Sequence, residues 1–469
     1  MKSPVMAWGM TKPTLELLHG WGRHPVVEAP TLHSASLERD APGAVLSRGL
    51  ARSYGDAALP PPGARRPVLV TPAADRILAF DESTGVLRAE AGLSLGELAR
   101  VFLPRRWFSP VSTGTQYVTL GGMVASDVHG KNHHSFGTIT KAIRSLRIAV
   151  ADGRIVATSP AEHPDLFYAT LGGMGLTGHI LEVELQLTRI PSPWIYEESW
   201  QAPNLEGLFQ GLADSSDWPM TAAWVDTSTK GSDFGRGLVI RGRWAEPDEA
   251  PAHPPGRRPS IEVPPVFPSG VMNPLTIQLL STVWFHRHGA KKKQHVTHPA
   301  NHFWQLDMAT NWFRGYGQRG FTQYQCVLPR DVDVHRAFVR LFQKLGGCSF
   351  INVYKDCGEA GPGLLSFPQY GTSIALDIPI TTVDRTQRLV DGLNDFVVDH
   401  GGRVYLAKDA FTRPSHFARM YPRIEEFNAV RDRWDPERRL SSWQSVRLLG
   451  DPLPGELDGE RQLQSVSAR

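Results

Sequence analysis

The pattern of apolar and polar residues predicts a mixture of short strands and amphipathic helices in the first 190 residues. Residues 66–71, 86–91 and 179–188 have the β-type or alternating character of strands. Residues 94–102 place apolar side chains on one helical face, behind a serine that can cap the first turn. Residues 146–156 surround an Asp-Gly pair, which is typical of a hairpin turn.

The second part of the chain combines tryptophan-rich segments with further strands. Residues 320–328 and 373–378 are predicted strands, and residues 382–400 are a predicted helix that ends at a Gly-Gly pair. A strand over residues 403–406 is then expected to lead directly into Lys408. The proline-rich residues 246–268 are predicted to form a loop.

Composition narrows the possible classes of protein. The chain has 469 residues, which is long enough for two or more domains. The 50 basic and 47 acidic residues are too evenly balanced for a typical nucleic-acid-binding protein. Three cysteines without C-x-x-C spacing fit a reducing compartment. No signal peptide or apolar run of about 20 residues is apparent, so we expect a cytoplasmic protein, with contact at a membrane surface left open.

A G-x-G-x-x-G pattern at residues 173–178 is weak evidence for a Rossmann site. That site needs a strand before the glycines and a helix after them. Here the order is reversed, because residues 165–170 have a helical pattern and a strand pattern follows Gly178. We interpret the segment as a glycine loop that allows close backbone approach, and the approaching group could still be a flavin.

Three other glycine-rich loops lie within 90 residues and are separated by predicted strands. They cover residues 47–56, residues 114–122 and residues 127–135. Backbone N–H groups in such turns form concavities that suit a pyrophosphate. Each loop alone is more often a simple turn, but three together indicate a cofactor site.

Specific motifs in these loops resemble the decaprenylphosphoryl-β-D-ribose 2′-oxidase family, within the vanillyl-alcohol-oxidase type of FAD flavoproteins. The motifs are G-W-G-R (20–23), R-S-Y-G-D (52–56), V-T-L-G-G (118–122), H-G-K-N-H-H-S (129–135), G-G-M-G-L-T-G (172–178), F-T-Q-Y-Q (321–325), N-V-Y-K (352–355), Y-L-A-K-D (405–409) and M-Y-P-R (420–423). The resemblance covers nearly the whole chain.

The resemblance implies an α+β fold with a two-subdomain FAD-binding domain of the PCMH type and an α+β substrate domain that contains an antiparallel sheet. The FAD-binding domain would span residues 1–190 and be completed by residues 403–450. The substrate domain would span residues 191–402. Residues 451–469 are expected to form a disordered tail.

The resemblance also implies a cofactor-binding set. Its members are Arg48, Gly49, Leu50, Ala51, Arg52, Ser53, Tyr54, Gly55, Asp56, Gly114, Thr115, Thr119, Gly121, Gly122, His129, Gly130, Asn132, His133, Ser135, Ile180 and Tyr405. Many relatives attach FAD through a histidine where this chain has Arg52. Arginine cannot form that bond, so we expect non-covalent FAD.

Lys408, His129 and Tyr54 are the expected catalytic residues, from the same resemblance. The expected substrate-binding residues are Lys131, Gln323, Gln325, Lys355, Ser373, Ala375 and Lys408. A zinc site at Asp127, His129, His133 and His134 is an alternative, but neighbouring histidines need not point the same way and no cysteine lies nearby. We therefore expect no metal.

The implied function is oxidation of a sugar secondary alcohol to a ketone, most specifically the 2-hydroxyl of a polyprenyl-phosphoryl ribose. A separate NAD(P)H-dependent reductase would complete an epimerisation to arabinose. Departures from the family on the substrate side keep an alternative open, which is another sugar, polyol or natural-product glycoside. Mycobacterial members of the family carry cysteine at the position of Ala375 and asparagine at that of Ser373, and an aromatic pair is expected at His302 and Phe303.

Two further alternatives follow from the sequence. A flavin-binding scaffold without turnover is a third class of function, although Lys408, His129 and Tyr54 are all present. The basic residues 286–293 follow the apolar residues 283–285, which indicates either contact with anionic lipid headgroups or a solvated loop.

Overall fold

The structure is a computed structural model that describes residues 12–454 except 257–259, 265–267 and 269. Most of the expected C-terminal tail, part of the proline-rich segment and the first residues of the chain therefore lie outside the described residues.

Strands dominate the chain up to residue 190. They are β1 (Thr14–His19), β2 (Val26–His33), β3 (Leu46–Arg48), β4 (Val68–Val70), β5 (Ile77–Asp81), β6 (Val86–Glu90), β7 (Trp107–Phe108), β8 (Ile143–Ala149), β9 (Ile155–Thr158), β10 (His179–Gln186) and β11 (Thr188–Arg189).

Longer strands follow in the second part. They are β12 (Ile195–Ala202), β13 (Met220–Val225), β14 (Gly237–Trp244), β15 (Ile261–Glu262), β16 (Lys293–Thr297), β17 (Ala309–Thr310), β18 (Phe321–Leu328), β19 (Asn352–Cys357), β20 (Gly371–Pro379) and β21 (Arg403–Val404).

Helices are distributed along the whole described chain. They are α1 (Leu37–Asp40), α2 (Leu95–Phe102), α3 (Leu120–Ala125), α4 (Pro164–Thr170), α5 (Leu205–Ala213), α6 (Pro274–His288), α7 (Pro299–Phe303), α8 (Val332–Lys344), α9 (Val383–Asp399), α10 (Pro414–Met420), α11 (Ile424–Trp434) and α12 (Trp443–Leu449). Among the described residues, no helix is long and apolar enough to cross a membrane.

Three larger sheets organise these elements into an α+β fold. A small mixed sheet has the order β1-β2-β4-β3, and an antiparallel sheet has the order β5-β6-β10-β8-β9. The largest sheet is antiparallel and has eight strands in the order β16-β12-β14-β13-β19-β20-β18-β21. The antiparallel pairing confirms the coarse α+β class that the sequence predicted.

The two faces of the eight-stranded sheet have different environments because side chains alternate along each strand. On β18, Tyr324 points to the helix side, where its hydroxyl donates to Asn394 of α9 (2.9 Å). Its neighbours Gln323 and Gln325 point to the opposite face and line a large cavity. Helices α5, α8 and α9 cover the first face, so the second face is left for a ligand.

Local signals predicted about half of the elements of the first part correctly. Ser94 caps α2, where its hydroxyl accepts from the Glu97 N–H (3.1 Å). Strands β8 and β9 pair as the expected hairpin. The glycine pattern at 173–178 lies between α4 and β10, and this confirms the order that argued against a Rossmann site.

One predicted element is shorter than expected. The strand predicted over residues 403–406 ends at Val404, and a 3-10 turn at Leu406–Lys408 follows. Lys408 therefore lies at the end of a turn rather than directly after a strand. The turn is closed by the Lys408 N–H, which donates to the Tyr405 carbonyl (2.9 Å).

Candidate active site

A cavity of about 1210 Å³ runs from the glycine loops of the first part across the open face of the eight-stranded sheet. Typical ligand pockets have volumes of about 300–1,000 Å³, so this one can hold a large cofactor together with a second molecule. Its wall contains residues from both parts of the chain and from the turn that ends at Lys408.

Most of the expected cofactor residues line this cavity. They are Gly49, Leu50, Ala51, Arg52, Ser53, Tyr54, Gly114, Thr115, Thr119, Gly121, Gly122, His129, Gly130, Ile180 and Tyr405. Met174, Gly175 and Gly178 of the rejected Rossmann pattern also line it. The loop at 173–178 thus brings its backbone to the cavity, as its glycine content indicated.

Three expected cofactor residues of the first loop, Arg48, Gly55 and Asp56, lie behind the wall instead. The Arg48 guanidinium donates to the Ala58 and His19 carbonyls. A Cβ at Gly55 would lie 1.9 Å from the Asp409 carbonyl oxygen, so only glycine fits there. These residues hold the loop and do not face the cavity.

The Asp56 carboxylate forms an ion pair with Arg447 of α12 (2.8 Å). Arg447 also contacts the Asp409 carboxylate (2.9 Å), which joins the first loop to the segment that carries Lys408. The Tyr54 N–H donates to the Ala407 carbonyl (2.9 Å) in the same region. The R-S-Y-G-D motif is therefore a docking site for the C-terminal segment as well as part of the wall.

Asn132, His133 and Ser135 of the third loop also lie behind the wall. The Asn132 amide donates to the Pro110 carbonyl (2.7 Å), and the Ser135 hydroxyl donates to the Pro219 carbonyl (2.8 Å). The His133 Nδ1 accepts from the Gly358 N–H (3.0 Å). His133 is therefore a packing residue, and no group of three or more potential metal ligands occurs among the described residues.

The cofactor part of the cavity fits FAD. The Arg52 guanidinium lies over the Trp21 ring (5.1 Å) and the Tyr117 ring (5.6 Å), and its Nε has no partner among the described residues. The His129 Nδ1 is buried and also lacks a partner there. Buried donors without partners are costly, and a cofactor with carbonyl and phosphate oxygens would satisfy them. Nothing lies within 4 Å of the Cβ position of Gly114, so the cavity is open beside this loop.

A polar network surrounds His129 on the sheet side. The Gln325 Nε2 lies 2.9 Å from both the His129 Nε2 and the Ser373 Oγ. Burial and the nearby Lys355 hold the pKa of His129 well below its usual range, so the ring is neutral. With its Nε2 accepting from Gln325, the ring carries its proton on Nδ1. Ser373 lies behind Gln325 and not on the wall, unlike the other expected substrate residues.

Basic side chains dominate the substrate part of the wall. Burial lowers the pKa of Lys131 to about 8, and it also lowers the pKa of Lys355. Burial and the charge of Lys355 lower the pKa of Lys408, whose ammonium lies 5.4 Å from the centre of the Tyr54 ring. Burial raises the pKa of Tyr54 well above its usual range, so this phenol stays protonated.

Several residues of the site were missed by the sequence interpretation. His302 Nδ1 pairs with Glu197 Oε2 on the wall (2.7 Å), and the Lys131 ammonium donates to the His302 carbonyl. Asp307 accepts from the Thr115 hydroxyl (2.7 Å). Asp377 accepts from the Gln323 amide. Asp377 gave a usable signal as an acidic residue inside the apolar strand β20, and His302 was noted only as a departure from the expected aromatic pair.

Comparison with known proteins identifies the class. Residues 37–159 match the family model described as "FAD binding domain". With the glycine-lined cavity and the buried basic residues, this match defines the chain as an FAD-dependent oxidoreductase.

The chain belongs to the decaprenylphosphoryl-β-D-ribose oxidase family. It is 33% identical over 454 residues to the decaprenylphosphoryl-β-D-ribose oxidase of Mycolicibacterium smegmatis, covering 95% of this chain and 97% of that protein. It is 32% identical to an uncharacterized Streptomyces coelicolor protein in the mprA 5′ region, covering 76% of this chain and all of that protein. It is also 25% identical to human Δ24-sterol reductase, but over 24% of this chain and 22% of that protein.

Proposed function

We propose that this enzyme oxidises the 2-hydroxyl of a polyprenyl-phosphoryl ribose to a ketone. The observation that carries the proposal is the charge of the cavity wall. Arg52, Lys131, Lys355 and Lys408 line it, and Glu197 is the one carboxylate among its described lining residues. The relative from Mycolicibacterium smegmatis is named for the same class of substrate.

The buried cations of the cavity wall are costly without negative charge nearby. Several ammonium groups in one cavity repel one another and lose hydration, which is why burial and Lys355 lower the pKa of Lys408. A phosphodiester-linked sugar would bring negative charge and offset that cost. A neutral polyol would leave more cations than carboxylates, because of the described carboxylates only Glu197, Asp307 and Asp377 act against the four positive charges. An anionic sugar therefore fits the cavity better.

The bound FAD would accept the hydride from the alcohol carbon. The protein's own residues would orient the sugar and stabilise charge on its oxygen. The Lys408 ammonium would stabilise the negative charge that develops as the hydroxyl proton leaves. The Tyr54 hydroxyl would donate to a sugar oxygen, and the His129 Nδ1–H would hold the cofactor, so that together they fix the alcohol carbon for transfer.

We propose that FAD is held non-covalently, because Arg52 occupies the position of the linking histidine. Acid precipitation of the yellow protein is expected to release all flavin into the supernatant. Flavin that remained in the pellet would show a covalent bond.

We propose the following domain organisation. Residues 1–190 and 403–450 would form the FAD-binding domain, which would have two subdomains. Residues 191–402 would form the substrate domain. The ion pair between Asp56 and Arg447 supports the return of the C-terminal segment to the first domain, and strands β12–β20 of the large sheet support a separate substrate unit.

The enzyme would work in the cytoplasm at a membrane surface and pass its ketone to a separate NAD(P)H-dependent reductase. Helix α6 supports the membrane contact. Leu275, Leu279 and Val283 are exposed on it, and Leu280 and Trp284 of the same helix line the cavity. An apolar surface that continues into the cavity would suit a polyprenyl tail, and the basic residues 286–293 would meet anionic headgroups.

The test is anaerobic mixing of the purified holoenzyme with a short-chain polyprenyl-phosphoryl ribose, while the visible absorbance of FAD is recorded. We expect rapid bleaching and a ketone product. The matched control is the same prenyl riboside without phosphate, which should react at least ten times more slowly. Equal rates for both compounds would contradict the charge argument.

A second candidate substrate class is another sugar, polyol or natural-product glycoside. It is favoured by the Glu197–His302 pair, whose carboxylate lies on the cavity wall and could accept from additional sugar hydroxyls. Ser373 and Ala375 also favour this alternative, since both differ from the family residues expected there. Bleaching by free polyols or glycosides, but not by the polyprenyl-phosphoryl sugar, would establish this alternative.

A further inference from the structure

Asp377 is a buried carboxylate beside Gln323, which lines the substrate cavity. It lies in the middle of β20 and is fully buried. Its Oδ1 accepts from the Gln323 amide across the β18–β20 pair, and its backbone N–H donates to the Ser349 hydroxyl (2.8 Å). Its Oδ2 has no partner within normal hydrogen-bond geometry among the described residues, although the Tyr316 phenol interacts with the carboxylate.

A carboxylate in this position needs a positive charge nearby, because an isolated buried charge is very unfavourable. Its charge acts on the Lys408 ammonium and on the Tyr54 phenol, and the Tyr316 phenol shares a hydrogen bond with it. Lys355 faces Lys408 and repels it. Lys408 is therefore the cation that can balance Asp377.

We propose that Asp377 is a positioning residue for the oxidation, which keeps Lys408 charged and fixes the amide of Gln323. The inference rests on the proposed function, since it concerns the same site. The direction of the Gln323 amide follows from its bond to Asp377. Its NH₂ group is held by the carboxylate, so its Oε1, which has no partner in the described part of the chain, is turned away as an acceptor for a substrate hydroxyl.

Asp377 and Lys408 each oppose the effect of burial on the other's pKa. Burial lowers the pKa of Lys408, and the negative charge of Asp377 opposes that shift. Burial raises the pKa of Asp377, and the positive charge of Lys408 opposes that shift in turn. Removal of the Asp377 charge should therefore lower the pKa of Lys408 further, and the ammonium should be lost at a lower pH.

The experiment measures the pKa of Lys408 directly in the holoenzyme, without substrate. Trace acetic anhydride acylates neutral amines, so its incorporation at Lys408 across a pH series, measured by mass spectrometry, gives the midpoint of the titration. In Asp377→Asn we expect this midpoint to fall by about one pH unit or more, the usual effect of a nearby opposite charge. An unchanged midpoint would overturn the proposal.

A matched control is Asp356→Asn on the neighbouring strand β19. Asp356 accepts from the Thr372 hydroxyl (2.7 Å) and does not line the cavity, so the Lys408 midpoint should not move. If Asp377→Asn loses its FAD, Asp377→Ser provides the same readout, because it also removes the charge. Asp377→Glu keeps the charge and should keep the midpoint of the wild type.

Turnover supplies the second readout. With the polyprenyl-phosphoryl ribose as substrate, the limb of the pH profile of kcat that reports Lys408 should move to lower pH in Asp377→Asn, in parallel with the labelling midpoint. A uniform loss of kcat with an unmoved limb would indicate a purely structural residue. If the wild type fails to oxidise that substrate, the proposed function fails, while the labelling midpoints still decide the role of Asp377.

Discussion

Lys408 and Tyr54 form the contact between the two ends of the chain at the active site. The ammonium lies over the phenol ring at 5.4 Å, and the turn that carries Lys408 accepts a hydrogen bond from the Tyr54 backbone through Ala407. The role of Lys408 in the chemistry can be tested separately from FAD binding, because the cofactor part of the cavity wall is formed mainly by other residues.

Lys408→Ala should retain FAD and lose turnover. Removal of an electrostatic stabiliser lowers kcat by a factor of about 100 or more, and the methyl group leaves the glycine loops intact. FAD content per chain and anaerobic flavin bleaching are the two measurements. Lys344→Ala, at the exposed end of α8, is the control and should match the wild type. Joint loss of flavin and activity would make Lys408 a structural residue.

Ala375 determines the response to electrophiles that form in the cavity. It lies on the wall, at a position where the family resemblance implies a cysteine, and its methyl group has no nucleophilic electron pair. Burial raises the pKa of the native thiols Cys326, Cys348 and Cys357, so thiolate is scarce.

The wild type should form no adduct during turnover with a nitroaromatic precursor, and Ala375→Cys should form one with little loss of turnover. Intact-mass and peptide mass spectrometry provide the test. Modification of the wild type, or none of the variant, would show that Ala375 does not occupy the position of the family cysteine.

At the level of elements, α6 combines two environments in one helix. Ile277, Ser281 and Phe285 are buried, whereas Leu275, Leu279 and Val283 are exposed. Exposed apolar side chains beside a basic segment are typical of interfacial helices.

The triple variant Leu275→Gln, Leu279→Gln and Val283→Gln should lose binding to anionic vesicles and keep turnover of a short-chain substrate. These three side chains do not line the cavity, so the chemistry should be unaffected. Co-sedimentation with vesicles at low and high salt measures the binding. Ile155→Gln, an exposed apolar residue on β9, is the control and should bind as the wild type does. Unchanged binding by the triple variant would contradict the membrane proposal.

Short-range signals explain which elements the sequence predicted well. The cap at Ser94, the Asp-Gly hairpin and the alternation of β10 depend on neighbouring residues, and all three are present. The end of β21 could not be predicted, because it depends on the pairing of Val404 with the distant Cys326.

The same distinction applies to the cavity. Motifs identified the loops but not the direction of each side chain. Asp56 and Asn132 lie behind the wall because Arg447 and Pro110 hold their side chains there. These partners are not sequence neighbours, so the motifs could not predict this placement. The pair formed by Glu197 and His302 joins residues that are 105 positions apart, and no local pattern marks either member.

At the scale of the whole molecule, several histidines are buried in the neutral form. Burial lowers the pKa of His179 and His302 to about 4 and that of His133 and His335 to about 3. Unfolded histidine has a pKa of about 6.5, so the unfolded chain binds protons that the folded chain excludes.

Stability should therefore be fully present above about pH 6.5 and should fall as the pH drops towards 4. Each such histidine costs about 2 kcal/mol of unfolding free energy by pH 5. Denaturant unfolding of the holoenzyme at pH 7 and 5 measures the loss. The raised pKa values of Asp127 and Asp377 act in the opposite direction. His179→Gln isolates the histidine contribution and should show a smaller pH dependence. An identical dependence in both proteins would contradict this account.

The ion pair between Asp56 and Arg447 also fixes when the enzyme can acquire its cofactor during synthesis. The two residues are 391 positions apart, and a ribosome adds about 5–20 residues per second. The first glycine loop therefore emerges roughly 20–80 s before the residue that locks it in place. We therefore expect stable retention of flavin only after Arg447 has been synthesised, so chains that stop before Arg447 should fail to retain FAD.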